Sequence, residues 1–364
     1  MKNFTKSTLA ALVGASAISS TAQADDGFRF YGWLNPMYLS VDDGEASYGN
    51  AGDNTNAPSR IGFWYENALG AGTLKFHFET ALGFNGSVMF GQDKDVDVWE
   101  WDQTDLRHVQ AIYETNGFGT FSVGQGSTAS DMVAAGTDMS GTTLVSKAAV
   151  HLNAGGFNFK DSTGGNGPAV KAVFKNFDGP RAGRVRYDSE KFGGGFVVSA
   201  SAGTEILKEG DDTNFYDVAL RYTTETDQMK VRAYTSFMRT EPTSGDSYDS
   251  ILGAVGVLHK DSGLSGTVTI GNQSNSGDYI FAKVGWQQSW FSFGKTYLSV
   301  DAFKSQDMVS DGDDGLAIGL AAVQKIDDAN MEVYVGYHTH SYDDTTGKVY
   351  NDLDAYMFGA RWKF

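Results

Sequence analysis

Few side chains in this sequence have the type and spacing that metal or acid–base chemistry requires. His338 and His340 lie two apart on one predicted strand face with Glu332 below them, a spacing that can present two ligands to a metal ion. The chain has only six histidines and no cysteine. These histidines are therefore better explained as polar residues that line a water-exposed surface near the end of the strand than as a metal site.

The motifs of nucleophilic and phosphate chemistry are missing from the sequence. The nearest approach to Gly-x-Ser-x-Gly, Gly263 to Thr267, ends on threonine instead of glycine. The run Gly193-Gly194-Gly195 is predicted to be a turn, because no helix follows it to bind phosphate. We expect no enzymatic activity and no resident cofactor. The acidic runs Asp42 to Glu45 and Asp343-Asp344 either hold divalent cations such as Ca²⁺ loosely or are only solubilising charges.

The amino terminus predicts export. Residues 1–24 combine a basic start, an apolar middle and the small-x-small run Ala22-Gln23-Ala24, which is typical of a cleaved signal peptide. Residues 25–364 then form one domain. Removing Lys2 and Lys6 leaves 26 of the 28 basic residues against 45 acidic ones, a net charge of −19, which argues against nucleic acid as a partner. Every apolar run is shorter than the roughly 20 residues that a spanning helix needs, so any membrane span must be β.

Period-two patterns bounded by Gly, Asp, Asn and Ser predict sixteen strands. They cover residues 28–41, 58–68, 72–84, 104–115, 118–126, 183–190, 194–203, 213–223, 228–240, 248–260, 264–272, 277–290, 293–304, 314–326, 330–342 and 352–364. Short and long connections alternate along the chain, from the tight turns 69–71 and 116–117 to the long stretch 127–182. Short turns on one rim and long loops on the other are typical of an outer-membrane barrel.

The alternation within strands separates charged faces from apolar ones. In the third predicted strand, Lys75, His77 and Glu79 oppose Leu74, Phe76 and Phe78. Burying unpaired charges in a dry core would cost several kcal/mol, so the charged faces are predicted to line water and the apolar faces to meet lipid. The same parity turns Arg60, Arg184 and Arg186 inward. Strands 248–260 and 314–326 alternate poorly and rest on length and turn parity. An even strand count lets the first and last strands close the sheet.

Several runs together resemble the Gram-negative general porins, especially those of alphaproteobacteria. They are Ser59 to Phe63 (SRIGF), Leu69 to Gly72 (LGAG), Phe76 to Glu79 (FHFE), Arg107 to Gly124, Arg184 to Ser189, and the terminal Phe364. The resemblance covers nearly the whole chain after the signal. It implies a sixteen-stranded antiparallel barrel in the outer membrane and a homotrimer whose contact face lies near the two termini. Divalent cations held by the acidic runs would then bridge loops or neighbouring lipopolysaccharide phosphates. The resemblance also implies that the barrel-assembly machinery reads Phe364.

The resemblance further implies that the third loop folds into the barrel and narrows the pore. Acidic residues on the loop, Asp131 and Asp138, would then face basic residues on the wall, producing a transverse field that favours polar solutes. The basic residues are Arg60, Lys75, Arg184 and Arg186. The alternative is that the loop acids are solvated and that Arg184 and Arg186 pair structurally with Asp188. The glycine-rich run 155–167 leaves open which part of residues 127–182 enters the pore.

These features predict an outer-membrane channel through which small hydrophilic solutes and ions diffuse passively. A substrate-selective channel for sugars or an anion is the alternative, and an adhesin or structural anchor with a closed lumen is a third class. The net charge predicts a mild preference for cations.

Overall fold

The computed structural model of the protein describes residues 27–93 and 97–364, so the predicted signal peptide, residues 1–24, lies outside the described residues. The strands are β1 (Phe28–Leu34), β2 (Pro36–Asp42), β3 (Ser47–Asp53), β4 (Arg60–Leu69), β5 (Gly72–Ala81), β6 (Leu106–Thr115), β7 (Gly119–Ser127), β8 (Asn158–Lys160), β9 (Asn166–Ala169), β10 (Arg181–Asp188), β11 (Phe196–Thr204), β12 (Asn214–Glu225), β13 (Met229–Glu241), β14 (Tyr248–His259), β15 (Leu264–Gln273), β16 (Asp278–Phe291), β17 (Gly294–Gln306), β18 (Asp314–Ile326), β19 (Met331–Asp343) and β20 (Leu353–Lys363).

The helical elements are short. They are α1 (His151–Ala154), α2 (Val170–Val173) and the 3₁₀ turns Ser87–Met89, Gln103–Asp105 and Asp327–Ala329. No helix within residues 27–93 and 97–364 is long and apolar enough to cross a membrane.

Eighteen of the strand segments form one antiparallel sheet, and β8 pairs with β9 in a separate hairpin. The segments β1 and β2 are two halves of one barrel strand, and β3 and β4 are two halves of the next. The sheet therefore has sixteen strands, as the sequence predicted. The predicted strands match the observed ones within a few residues, because period-two patterning and glycine-containing turns are local signals.

Strand β20 closes the sheet into a barrel. It pairs with β19 on one side and with β1 and β2 on the other, for example through Met37 opposite Gly359 and Trp33 opposite Lys363. The backbones of Gly32 and Phe364 exchange two hydrogen bonds of 3.0 and 3.1 Å. Closure leaves no unpaired edge, which the hydrocarbon interior of a membrane would not tolerate.

Strand β3 is the one barrel segment that the sequence pattern did not predict. Its sequence, Ser47 to Asp53, contains two glycines, one asparagine and one aspartate, all of them residue types that disfavour strands. A tight turn supplies the pairing instead: the Asp43 carboxylate accepts the backbone N–H groups of Glu45 and Ala46 and folds β3 back onto β2. Below β3, the chain turns into the lumen at residues 54–59, where the Asp53 carboxylate accepts the backbone N–H and the hydroxyl of Ser59.

The connection between β7 and β10, residues 128–180, is folded inside the barrel; we call it loop three. Its apolar side chains pack on apolar inward residues of the wall, so one side of the lumen is a dry core. Loop three contributes Val133, Leu144, Val145, Phe157, Phe159, Val173 and Phe174, and the wall contributes Leu39, Val41, Leu252, Phe281, Phe303, Ala317, Leu353 and Met357. Burying each large side chain stabilises this arrangement by about 1.5–3 kcal/mol.

The prediction that the inner faces of the strands line water is correct for only part of the barrel. It holds for the wall formed by β4–β7 and β10–β12, whose inner faces carry charged groups. It does not describe much of the inner face of β2 and β16–β20, where loop three replaces water as the neighbour.

Candidate functional site

Buried polar contacts with β16 and β17 fasten the middle of loop three to the wall. Lys283 on β16 donates to the Asp138 carboxylate at 2.8 Å and to the Ser146 carbonyl oxygen at 2.6 Å. The Ser146 hydroxyl donates to Asp301 on β17. Both side chains of the Lys283–Asp138 ion pair are 1% exposed. These groups can be charged in a dry region only because each is paired.

A second set of contacts joins loop three to the turn formed by residues 54–59. The side-chain amide of Asn54 donates to the Leu144 carbonyl oxygen at 2.7 Å, and Lys147 Nζ donates to the Asn56 carbonyl oxygen at 2.8 Å. Asn56 also donates to the side chain of Asn153. Loop three is therefore held from two sides, and inward residues of β6, β10, β12 and β13 stay partly exposed. We call the space in front of them the passage.

One carboxylate organises the basic groups at the edge of the passage. Glu79 on β5 accepts from Arg60 at 2.9 Å, from Arg107 at 2.6 Å and from the Tyr31 hydroxyl at 2.7 Å. The Arg60 guanidinium also lies over the Trp33 ring, 4.4 Å from its centroid. Both carboxylate oxygens of Glu79 accept hydrogen bonds and the residue is buried, so its negative charge serves to position the two arginines.

A second group of arginines lies on β10 and β12 and contacts the start of loop three. Arg186 forms a two-pronged ion pair with Asp188 and also donates to the Thr128 carbonyl oxygen at 2.8 Å. Arg184 is buried and donates to the carbonyl oxygens of Gly124 and Ser127. Arg221 donates to the Ala129 and Asp131 carbonyl oxygens. These contacts fix the entry of loop three as well as the charges of the wall.

The two predicted loop acids lie in different surroundings. Asp131 is partly exposed, accepts from the Ser127 hydroxyl at 2.6 Å and lies 3.9 Å from Arg181. Asp138 lies where loop three packs against β16, and there it forms the buried ion pair with Lys283. The structure thus places Asp131 beside the passage and places Asp138 under loop three.

Lys75 is separate from the other predicted basic residues. It lies near the short turn that joins β4 and β5, where it contacts Glu114 at 2.8 Å and Glu66 at 4.0 Å. Arg60 lies at the other end of the same strand pair, opposite Ala81. The histidines that the sequence suggested as rim lining, His338 and His340, are buried beneath loop three.

Five charged residues of the site were not predicted from the sequence: Arg107, Lys147, Asp178, Arg181 and Arg221. Arg107 lies where the pairing of β5 and β6 shifts by one residue, and this irregularity turns it toward Glu79 against its parity in the strand. Arg221 could have been found by parity, since it pairs across β12 and β13 with Tyr234. Lys147, Asp178 and Arg181 lie in or beside loop three, where no regular alternation of apolar and polar residues predicts the direction of a side chain.

Asp178 fixes the chain on the passage side of loop three. Its carboxylate accepts the backbone N–H groups of Ala134 and Ala135 at 2.6 and 3.3 Å. Burial, together with the neighbouring Asp131 carboxylate, raises the pKa of Asp178 to about 7. Burial lowers the pKa of Lys147 to about 8. Both groups therefore change charge near neutral pH.

Comparison with known proteins identifies the family. A family profile described as Gram-negative porin matches residues 8–362. No curated protein sequence matches the chain significantly. The fold is similar to that of the anion-selective porin from Comamonas acidovorans, with a TM-score of 0.63, 14% identity and coverage of 93% of this chain and 100% of that chain.

Two further solved structures share the fold. The OmpF of Salmonella typhi, in complex with daunomycin, gives a TM-score of 0.59 at 16% identity, covering 93% of this chain and 97% of that chain. The trimer form of OmpT from Vibrio cholerae gives 0.55 at 16% identity, covering 93% and 100%. Since the profile spans nearly the whole closed sixteen-stranded barrel, the chain belongs to the Gram-negative porin family, the non-enzymatic channels for passive diffusion across the outer membrane.

Proposed function

We propose that the passage admits small hydrophilic solutes with a weak preference for anions. The observation that carries this proposal is the charge of the partly exposed groups beside the passage, where six basic side chains face four acidic ones. The basic residues are Arg107, Lys147, Arg181, Arg186, Arg221 and Arg232, and the acidic residues are Asp105, Asp131, Asp178 and Asp188. In a narrow, partly dehydrated gap, local charge outweighs the distant acidic loops, which salt screens.

This sign is opposite to the cation preference expected from the net charge of the whole chain. The reversal potential of reconstituted protein across a KCl gradient decides between the two. We expect the sign of an anion-selective channel. A cation sign would overturn the proposal, and saturation of the current by one sugar would favour a substrate-selective channel instead.

The pH dependence of selectivity follows from the two titrating groups of loop three. Between pH 6 and pH 9, Asp178 gains a negative charge near pH 7 and Lys147 loses its positive charge near pH 8, so both changes lower the anion preference as pH rises. The Asp178→Asn variant should lose the step near pH 7 and keep the one near pH 8. Reversal potentials measured at half-unit pH intervals test this, and an unchanged pH profile in the variant would contradict it.

We further propose that the protein assembles as a homotrimer through the outer face of β1, β4 and β5. This face carries a continuous group of outward aromatic rings, with neighbouring centroids 4.6 to 6.4 Å apart. The rings are Phe28, Phe30, Phe63, Tyr65 and Phe76. Chemical cross-linking of the protein in outer-membrane vesicles should yield a trimer that Phe30→Lys weakens. Cross-linking that yields only monomers would refute the proposal.

The remaining partners and assignments rest on the resemblance of particular residues. We propose that the acidic runs Asp42 to Glu45 and Asp343-Asp344 contact lipopolysaccharide through loosely bound divalent cations. We also propose, from the motifs, that the chain is most similar to the alphaproteobacterial porins.

We propose that residues 1–24 are a cleaved signal peptide and that residues 25–364 form the barrel. Amino-terminal sequencing of the mature protein tests the boundary, with Asp25 expected first.

Deleting Phe364 should impair assembly more than conduction. Deletion removes two backbone hydrogen bonds to Gly32, each worth about 0.5–1.5 kcal/mol, together with the terminal aromatic ring that we propose the barrel-assembly machinery reads. The measurement is the amount of heat-modifiable folded protein in outer membranes, with single-channel conductance of the assembled fraction alongside. Phe358→Ala, which removes another exposed ring of β20, is the matched control. Equal folded yields for the deletion and the control would contradict the prediction.

A further inference from the structure

We propose that the external mouth of the passage contains a binding site for small organic monocarboxylates that have a compact apolar body. This inference rests on the proposed anion preference and adds a class of solute to it. A cavity of about 190 Å³ lies between the turn at residues 54–59, the start of the loop that follows β5, and the first residues of β6 and β10. Arg107 and Arg181 form part of its lining.

The cationic side of the cavity has hydrogen-bond donors to spare. The Nε of Arg107 donates to Glu79, but no hydrogen bond within residues 27–93 and 97–364 uses its two terminal nitrogens. In the same part of the chain, the Arg181 guanidinium makes no hydrogen bond and reaches only to 3.9 Å from an Asp131 oxygen. A carboxylate can accept two parallel N–H groups from a guanidinium, which makes it the best match for such donors.

The local charge favours an anion at this position. Arg60, Arg107 and Arg181 lie close enough to repel one another, and the Glu79 carboxylate is already shared by two of them. Asp131 and Glu79 both act on Arg181 as counter-charges, but neither carboxylate accepts a hydrogen bond from its guanidinium within residues 27–93 and 97–364. An anion held directly by Arg107 and Arg181 would offset the repulsion between the arginines further.

The opposite side of the cavity selects among anions. Its lining includes the apolar side chains of Pro58, Ala81, Val88 and Met89, which suit a small branched hydrocarbon group. Two carboxylates also line the cavity: Asp53, whose oxygens accept the backbone N–H and the hydroxyl of Ser59, and Asp105, two residues before Arg107. Their negative charges would repel a second carboxylate on the same solute. The site therefore fits a singly charged acid better than a dianion of similar size.

The test uses the reconstituted full-length protein and chloride current in KCl, with isobutyrate added on the external side. We expect a saturable reduction of the current. The half-saturating concentration for isobutyrate should be about tenfold lower than for the neutral isobutyramide, and lower than for acetate or the dianion methylmalonate. Arg107→Gln and Arg181→Gln should each raise it about tenfold. Arg239→Gln, which removes an exposed arginine on the outer face of β13, is the matched control.

The apolar side is tested separately by Met89→Gln, which should weaken isobutyrate but not acetate. Heat-modifiability verifies that each variant is folded. If isobutyrate, isobutyramide and acetate reduced the current equally, or if methylmalonate bound best, the inference would be wrong while an anion-selective reversal potential still supported the proposed function. A cation-selective reversal potential would contradict both the proposed anion preference and this binding site.

Discussion

Replacing Lys283 with methionine should detach the middle of loop three from the barrel wall. The substitution removes the ion-pair partner of the Asp138 carboxylate, which keeps only the backbone N–H of Ser140, in a region where both side chains of the pair are 1% exposed. Removing one member of a buried ion pair costs about 3–5 kcal/mol. Loop three is anchored independently to the turn at residues 54–59, so we expect local release around Asp138 and Ser146 with the barrel intact. Larger current noise and faster amide hydrogen exchange in residues 138–147 are the expected readouts.

The matched control removes both charges. In the double variant Lys283→Met with Asp138→Leu, the ion pair is removed as a unit and the neighbouring Asp301 keeps the Ser146 hydroxyl as its donor. A packed apolar pair in place of a buried ion pair is often neutral or stabilising. We therefore expect current noise and exchange rates near those of the unmodified protein. If the single variant kept slow exchange in residues 138–147, the Lys283–Asp138 pair would not be the anchor of this part of loop three.

The strand pattern was predictable because it is local. Period-two alternation, turns such as Asn116-Gly117 and the parity of long and short connections all act over a few residues, and they are enough to count sixteen strands. The glycine-rich β3 escaped prediction because a neighbouring turn, built on Asp43, decides its conformation. Its own residues do not.

The two strands that alternate poorly have a structural explanation. In β18 the inward residues Ala317, Ala321 and Val323 are apolar and buried, and in β14 the inward residues include Leu252 and Ala254. An apolar residue on such a strand can face lipid or face loop three, and the sequence pattern is the same in both cases. Poor alternation in these strands therefore marks a dry part of the lumen.

The basic side of the passage was only partly predictable. Parity correctly turns Arg60, Arg184 and Arg186 to the inside, but it cannot find Arg107, which a shifted pairing redirects. The partners of loop three depend on contacts between residues far apart in the sequence, such as Lys147 with Asn56 and Asp138 with Lys283. A segment in which apolar and polar residues do not alternate regularly gives no sequence signal for such long-range contacts.

Replacing both Arg60 and Arg186 with alanine should shift the selectivity of the passage toward cations. The double variant leaves Glu79 with Arg107 as its remaining ion-pair partner and removes the ion pair of Asp188. A unit charge about 6 Å from a permeating ion changes the energy of that ion by roughly 3 kcal/mol at an effective dielectric constant near 20. Since salt screens part of this effect, we expect the anion-to-cation permeability ratio to fall by about tenfold.

The matched control removes the same number of positive charges from the outer surface. Arg239 and Lys304 are exposed on the outer face of the barrel near its long-loop rim, each beside an exposed acid, so replacing both with alanine should leave the reversal potential nearly unchanged. If the two double variants shifted the reversal potential equally, the total charge of the protein would determine selectivity. If only the variant of Arg60 and Arg186 shifts it, the charges beside the passage determine selectivity, because the distant charges are screened within about 8–10 Å.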